Sequence, residues 1–313
     1  MSANANVATR VMPVKDTERA HRIRLVFGYI VAIALIAGLA VYGFDYYTLS
    51  SADRPFSSKH LLLKPSGPIG VKLGVLGVVM FLVIFLYPLR KRWLWLSRQG
   101  SSRHWLDIHI LLGLSAPFII AFHAAFKFRG FAGMAFWFML AVALSGIVGR
   151  YLYAQIPRSL STAELSLREL QELQLQLAKK LVHQELLPKE DLRSLLRLPS
   201  AEVVQKLSPF TALGYMMALD LGRSFRIEKL RRHRLGWSGK VSTLAGFLPT
   251  RNTHLEKSIQ TARQEAATAK RVLFLGQAQR VFHFWHIVHR PFSYTFVLLA
   301  LIHLVVVAAM GYL

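Results

Sequence analysis

Histidines at 109 and 123 share one apolar segment and those at 289 and 303 share another, and both intervals are 14 residues. On a helix, 14 residues rise about 21 Å and turn about 40° less than four full turns. Each pair therefore presents two imidazoles on nearly one face, one near each side of a bilayer. Two such helices set face to face hold two metal centres at different depths, each between two imidazoles. Imidazole nitrogen suits iron, and two axial imidazoles leave no open coordination position, which favours electron transfer over oxygen binding or catalysis. A single histidine in a membrane segment is commonly a neutral residue bonded to a backbone carbonyl. Two equal intervals on two segments point to metal binding instead, and intramembrane histidines are functional candidates in their own right.

The positioning elements are apolar runs near the roughly 20 residues needed to cross hydrocarbon. Five are present, at approximately Leu25–Tyr46, Val71–Leu89, Leu106–Phe126, Phe131–Tyr153 and Val281–Tyr312. The fold class expected is an all-α integral membrane helical bundle of about five transmembrane helices with a cytoplasmic helical insertion. The first run is long for a secretory signal and no small-residue cleavage site clearly follows it, so it reads as a retained helix.

A formal net charge of +23 in a soluble chain would suggest nucleic acid. Its placement argues otherwise. Arg22 and Arg24 precede the first run, Arg90, Lys91 and Arg92 follow the second, and Arg150 and Arg158 close the fourth. The positive-inside rule makes these ends cytoplasmic and puts the C-terminus outside. The expected location is an integral position in a membrane, a bacterial inner membrane, with no nucleic-acid partner. The third and fifth runs then point the same way. His109 pairs with His289 on an inner centre and His123 with His303 on an outer one; an antiparallel arrangement would swap the partners. Zero cysteine excludes thiolate-bound clusters, covalent haem attachment and disulfides.

Four segments follow from this reading: a polar tail at 1–20, transmembrane helices over 21–154, a cytoplasmic or interfacial helical insertion over 155–277, and the last transmembrane helix over 278–313. Ser161–Glu164 has capping-box spacing ahead of an amphipathic pattern reaching about Leu181. A second helix is expected after Pro188, where Glu190 and Asp191 suit the positive end of a helix dipole. Pro209–Leu221 is apolar but too short to span, and Arg223–Arg234 is strongly basic. Together they read as an interfacial helix on anionic lipid, with an acidic protein partner as the alternative. From about Asn252 one helix runs into the fifth span, where Pro291 predicts a kink.

Around the four histidines, helical phase prefers His289 over His286 and His283 as the partner of His303. His286 can contact a haem propionate or a quinone, or simply sit at the polar interface, and His104 can cap the inner centre. His21, His60, His183, His233 and His254 read as ordinary surface residues. Anionic propionates require cations, for which Arg150 and Arg290 are candidates on the inner side and Lys127 or Arg129 on the outer side; each can also be a membrane anchor. Gly113 and Gly146 offer room for a flat macrocycle or close helix approach.

The run His289-Arg-Pro-Phe-Ser-Tyr294 followed by Ile302-His303, with Trp285 upstream, resembles the haem helix of the ferric reductase-like transmembrane domain found in ferric reductases and NADPH oxidases. His109-Ile-Leu-Leu-Gly113 through Phe122-His123 is similar to the preceding haem helix of that family. The resemblance covers about residues 104–153 and 278–310. It implies two b-type haems, each bis-histidine, carrying single electrons across the membrane. The chain departs from the family in its long helical insertion. It also lacks a glycine-rich dinucleotide loop after a strand, and Arg54-Pro-Phe-Ser57 and Arg290-Pro-Phe-Ser293 match a flavin-binding tetrapeptide only superficially. Electrons are therefore expected to pass to or from another redox subunit (a flavoprotein, an iron–sulfur protein or a cytochrome) or a quinone. Two other readings stay open: a quinone- or metal-reducing oxidoreductase with its site at one haem, and a non-redox membrane scaffold or transporter with structural histidines.

Overall fold

The computed structural model describes residues 14–156, 171–172, 175–176, 196–234 and 253–311. Every regular element among them is helical. The long helices are α1 (Val14–Tyr42), α4 (Pro68–Arg90), α6 (Ser102–His123), α7 (Gly130–Gln155), α9 (Pro209–Arg234) and α10 (Thr253–Ala309). Short helices α2 (Phe44–Tyr47), α3 (His60–Leu63), α5 (Leu94–Ser97) and α8 (Ala201–Lys206) fill the connections, with a 3-10 turn at Arg54–Phe56. Five helical segments are long and apolar enough to cross a membrane: Glu18–Tyr42, His60–Arg90, Ser102–His123, Gly130–Gln155 and Thr253–Ala309. The expected helices within 161–181 and after Pro188 lie outside the described residues, apart from 171–172 and 175–176.

α1 and α6 stop earlier than their apolar runs. α1 ends at Tyr42, and Gly43 follows where a Cβ would run into the Tyr47 ring. α6 ends at His123, after which Ala125 and Phe126 take φ of 47° and 59°. Left-handed backbone is costly for residues with a Cβ. Arg54 holds it in place, because its guanidinium donates to the Ala125 carbonyl as well as to Tyr47 O and Leu49 O.

α10 runs for 57 residues through Pro291, more than twice the length required to cross hydrocarbon. Its first half is polar and its last part apolar.

The chain divides into two compact units, one of Met1–Ile147 with His289–Leu313 and one of Val148–Val288. In the first, Leu73 and Met80 of α4, Ile119 and Phe122 of α6, Met139 of α7 and Phe296 of α10 form the buried core. α1 joins it by close approach: a Cβ on Gly28 would sit 2.7 Å from Leu111 of α6.

In the second unit Leu152, Met216, Phe274 and Val281 pack together around a charged interior. Lys270 bonds Asp220 and lies 3.3 Å from the Tyr151 hydroxyl, which itself donates to Asp220 at 2.8 Å. Buried Arg223 pairs with Asp220 at 3.3 Å, and Arg231 pairs with Glu256 at 2.6 Å. Two arginines of the basic stretch on α9 thus face protein, while Phe210, Met217, Leu221 and Phe225 are exposed.

Candidate metal centre

All four interval histidines belong to the first compact unit and are half-buried, His109 and His123 on α6 and His289 and His303 on α10. Nδ1 of His109 lies 3.0 Å from the Ile84 carbonyl of α4. That carbonyl is available because its regular helical donor would be the nitrogen of residue 88, which is proline. Nδ1 of His123 lies 2.8 Å from the Gly70 carbonyl, again on α4. The ring fits beside α4 because residue 74 is glycine: a Cβ there would stand 2.8 Å from His123 Cε1.

A carbonyl only accepts, so both Nδ1 atoms carry hydrogen and both Nε2 atoms keep a lone pair. His289 reaches the same state by another route. Ser145 Oγ of α7 lies 2.8 Å from Val142 O and 2.7 Å from Nδ1 of His289, and when the hydroxyl donates to Val142 O its oxygen accepts the Nδ1–H. An acceptor on the remote nitrogen is the usual companion of a metal-binding histidine; it fixes the ring and makes the other nitrogen more basic.

His123 and His303 are edge-to-face neighbours, with ring centroids 6.5 Å apart and planes at 71°. With metal–nitrogen bonds of about 2.0 Å and roughly 1.1 Å from nitrogen to ring centre, two imidazoles that shared one ion from opposite sides would have centroids about 6.2 Å apart. The outer pair has the spacing of a bis-imidazole site.

At the other end, the Tyr87 ring stands 5.2 Å from the His109 ring, and the Lys91 ammonium 5.2 Å from the Tyr87 centroid. Burial first, and the Arg290 guanidinium second, push the Lys91 amine below the usual lysine range. Lys91 is exposed as a whole residue. It feels the charge of Arg290, the neighbour of His289, which puts the His289 end of α10 and the His109 end of α6 on one side of the unit. α6 and α10 therefore run parallel there. Among the described residues neither Lys91 nor Arg290 has a carboxylate partner.

Lys127 and Arg129 lie exposed in the turn after α6. Arg150 and His286 belong to the second unit, where His286 bonds the Phe282 carbonyl at 3.1 Å and packs on Trp285 at 4.7 Å. Gly113 and Gly146 are half-buried, yet a Cβ on either would meet nothing within 4 Å. Among the described residues no group of three or more histidine, aspartate or glutamate side chains can hold a metal ion. A haem needs only two protein ligands, since the macrocycle supplies the rest.

Sequence reasoning missed Ser145, Tyr87, Lys91 and the two α4 carbonyls, although Pro88 was a visible signal for one of them. The reading of His21 as an ordinary surface residue is corrected. It stacks on His104 with centroids 3.6 Å apart and bonds Asp107 at 3.2 Å, with 12% of its side chain exposed. His60 likewise is half-buried, 3.2 Å from the Tyr46 hydroxyl.

Compared with protein-family models, curated proteins and solved structures, the chain matches none.

Proposed function

We propose that this chain is an integral membrane cytochrome b subunit that carries single electrons across a bilayer between two bis-histidine b-type haems. The observation that carries the reading is the outer pair, where His123 and His303 stand 6.5 Å apart while the Nδ1 of His123 is tied to a carbonyl. Haem bound between such pairs supplies a one-electron iron couple. His109 and His289 hold the inner centre, oriented by Ile84 O and Ser145 Oγ. Lys91 and Arg290 receive the inner propionates, and half-buried open space beside Gly113 and Gly146 leaves room for a flat ring.

The positive-inside pattern sets the N-terminus and the inner centre on the cytoplasmic side. On α1 and α6 residue 21 meets 104 and residue 28 meets 111, equal steps that make the first and third spans parallel, as any alternating path through a bilayer requires. Another redox subunit or a quinone exchanges electrons with the centres. The ferric reductase-like resemblance points to the same chemistry.

The test is the reduced-minus-oxidised absorption spectrum of the purified chain, expected to be low-spin b-type with about two haems per chain. Replacing His123 or His303 should remove one haem, and replacing His109 or His289 the other. A haem-free protein, or a spectrum that survives all four changes, would leave the histidines as structural residues and end this proposal.

A further inference from the structure

At the start of α1 and α6 four titratable side chains meet. The rings of His21 and His104 stack with centroids 3.6 Å apart and planes at 19°. Nε2 of His21 points to Asp107 Oδ2 at 3.2 Å, which is a bond made by an Nε2–H. Nε2 of His104 is buried without a hydrogen-bond partner among the described residues, 3.7 Å from Glu18 Oε1. A lone pair facing a carboxylate is unfavourable, whereas an N–H in the same place becomes a charge-assisted hydrogen bond after a shift of under about 1 Å. Stacking limits the pair to one added proton, because two unit charges at this separation repel strongly.

We infer that the stacked pair of His21 and His104, with Glu18 and Asp107, is a proton-binding site that takes one proton onto His104 Nε2 when the inner metal centre is reduced. This rests on the electron-transfer reading above. His104 precedes His109 by five residues, a rise of about 7.5 Å on α6. Haem held by His109 and His289 would supply a one-electron iron couple, and its reduction by a reduced flavin, an iron–sulfur centre or a quinol would be matched by one proton moving from water to His104 Nε2. No covalent bond other than this N–H is made. A change of one charge about 10 Å away, at an effective dielectric near 20, alters proton affinity on the order of tenfold.

The other charges around the pair do not stand in for this site. Arg19, Arg22 and Arg24 of α1 and Arg103 of α6 are exposed. Arg90, at the end of α4, is engaged by Ser102 Oγ and by the carbonyls of Ser97 and Gly100. The group that gains the proton is the His104 imidazole, whose two ring nitrogens can each donate or accept.

The experiment is spectropotentiometry of the haem-loaded chain between pH 5 and 9, with imidazole nitrogen NMR on the full-length haem-free chain. The inner midpoint should fall by about 59 mV in all across this range, the tenfold affinity change converted for one electron, while the outer midpoint stays flat. His104→Gln should abolish the dependence, and Glu18→Gln, at a half-exposed side chain, should reduce it. NMR should show His104 Nε2 gaining a proton with falling pH while His21 Nε2 stays protonated. A flat inner midpoint in the unaltered protein, a slope unchanged in both variants, or a His104 Nε2 that never protonates would overturn the inference. Failure to bind two haems would instead remove the electron-transfer reading, with the NMR result still standing.

Discussion

Nδ1 of His109 takes the Ile84 carbonyl that Pro88 leaves without a helical donor, at 3.0 Å. A proline inside a transmembrane helix is tolerated where a neighbouring group satisfies the freed carbonyl, and here that group is a proposed iron ligand. The proline and the histidine are two halves of one device, on helices that pack together along their length.

Pro88→Ala restores the residue 88 N–H and lets it compete for Ile84 O. The helix should gain stability, since an interior proline costs about 3 kcal/mol, while the inner haem binds roughly 10- to 100-fold more weakly, the usual effect of losing the acceptor that orients a ligand histidine. Haem titration of the variant separates the two effects. Inner-site affinity equal to that of the unaltered chain would mean that Ile84 O does not orient His109.

Much of this arrangement was legible in the chain, and the illegible part has definite causes. The five apolar runs, the continuous helix from about residue 252 and the two equal intervals are local properties, visible along one strand of text. The proximity of His123 and His303 follows from the intervals once two helices run parallel. The choice of Lys91 out of Arg90, Lys91 and Arg92 was not visible, because any basic residue at a helix end reads as a membrane anchor. Packing distinguishes them: Arg90 is buried and spent on the loop to α6, whereas Lys91 stands over Tyr87. His21 was misread because its partner Asp107 lies 86 residues away. The ends of α1 and α6 were overrun because hydropathy does not register Gly43 or the left-handed backbone at Ala125.

Gly74→Ala tests the outer pair from the side of α4. The new Cβ would stand 2.8 Å from Cε1 and 3.0 Å from Nδ1 of His123, so the ring must move and its bond to Gly70 O must lengthen. The outer haem should be lost or weakened at least tenfold with the inner one retained, and overpacking should cost about 1–3 kcal/mol. Haem stoichiometry with a thermal melt provides the readout; two haems at undiminished affinity would show that α4 does not position His123.

Lys91→Met should act with opposite signs on the haem-free and haem-loaded protein. Burial and Arg290 disfavour the Lys91 charge. With a depressed amine, the folded chain binds fewer protons than the unfolded one, so stability rises as pH increases through the folded value towards the ordinary lysine range. Removing the charge should therefore stabilise the haem-free chain at neutral pH and flatten that rise, while weakening inner haem retention by several-fold. Equal haem retention in Lys91→Met and the unaltered chain would exclude Lys91 from propionate binding.

Tyr47 gives a pH signature independent of haem. Its ring packs on Phe122 and Phe126 at 5.2 and 5.3 Å, and its buried hydroxyl has no partner among the described residues. Burial, reinforced by Tyr46, pushes its phenol up to about 12. A phenol raised in the folded state contributes stability that is complete below its ordinary value near 10 and disappears as pH climbs through the folded value. The chain should lose stability between pH 10 and about 12, and Tyr47→Phe should lose less over that interval. At neutral pH the variant should match or exceed the parent by up to about 1 kcal/mol, because it removes a polar group that burial leaves unsatisfied. Denaturant melts at pH 7 and pH 11 would settle it, and a variant less stable than the parent at both would mean that the Tyr47 hydroxyl makes a favourable bond.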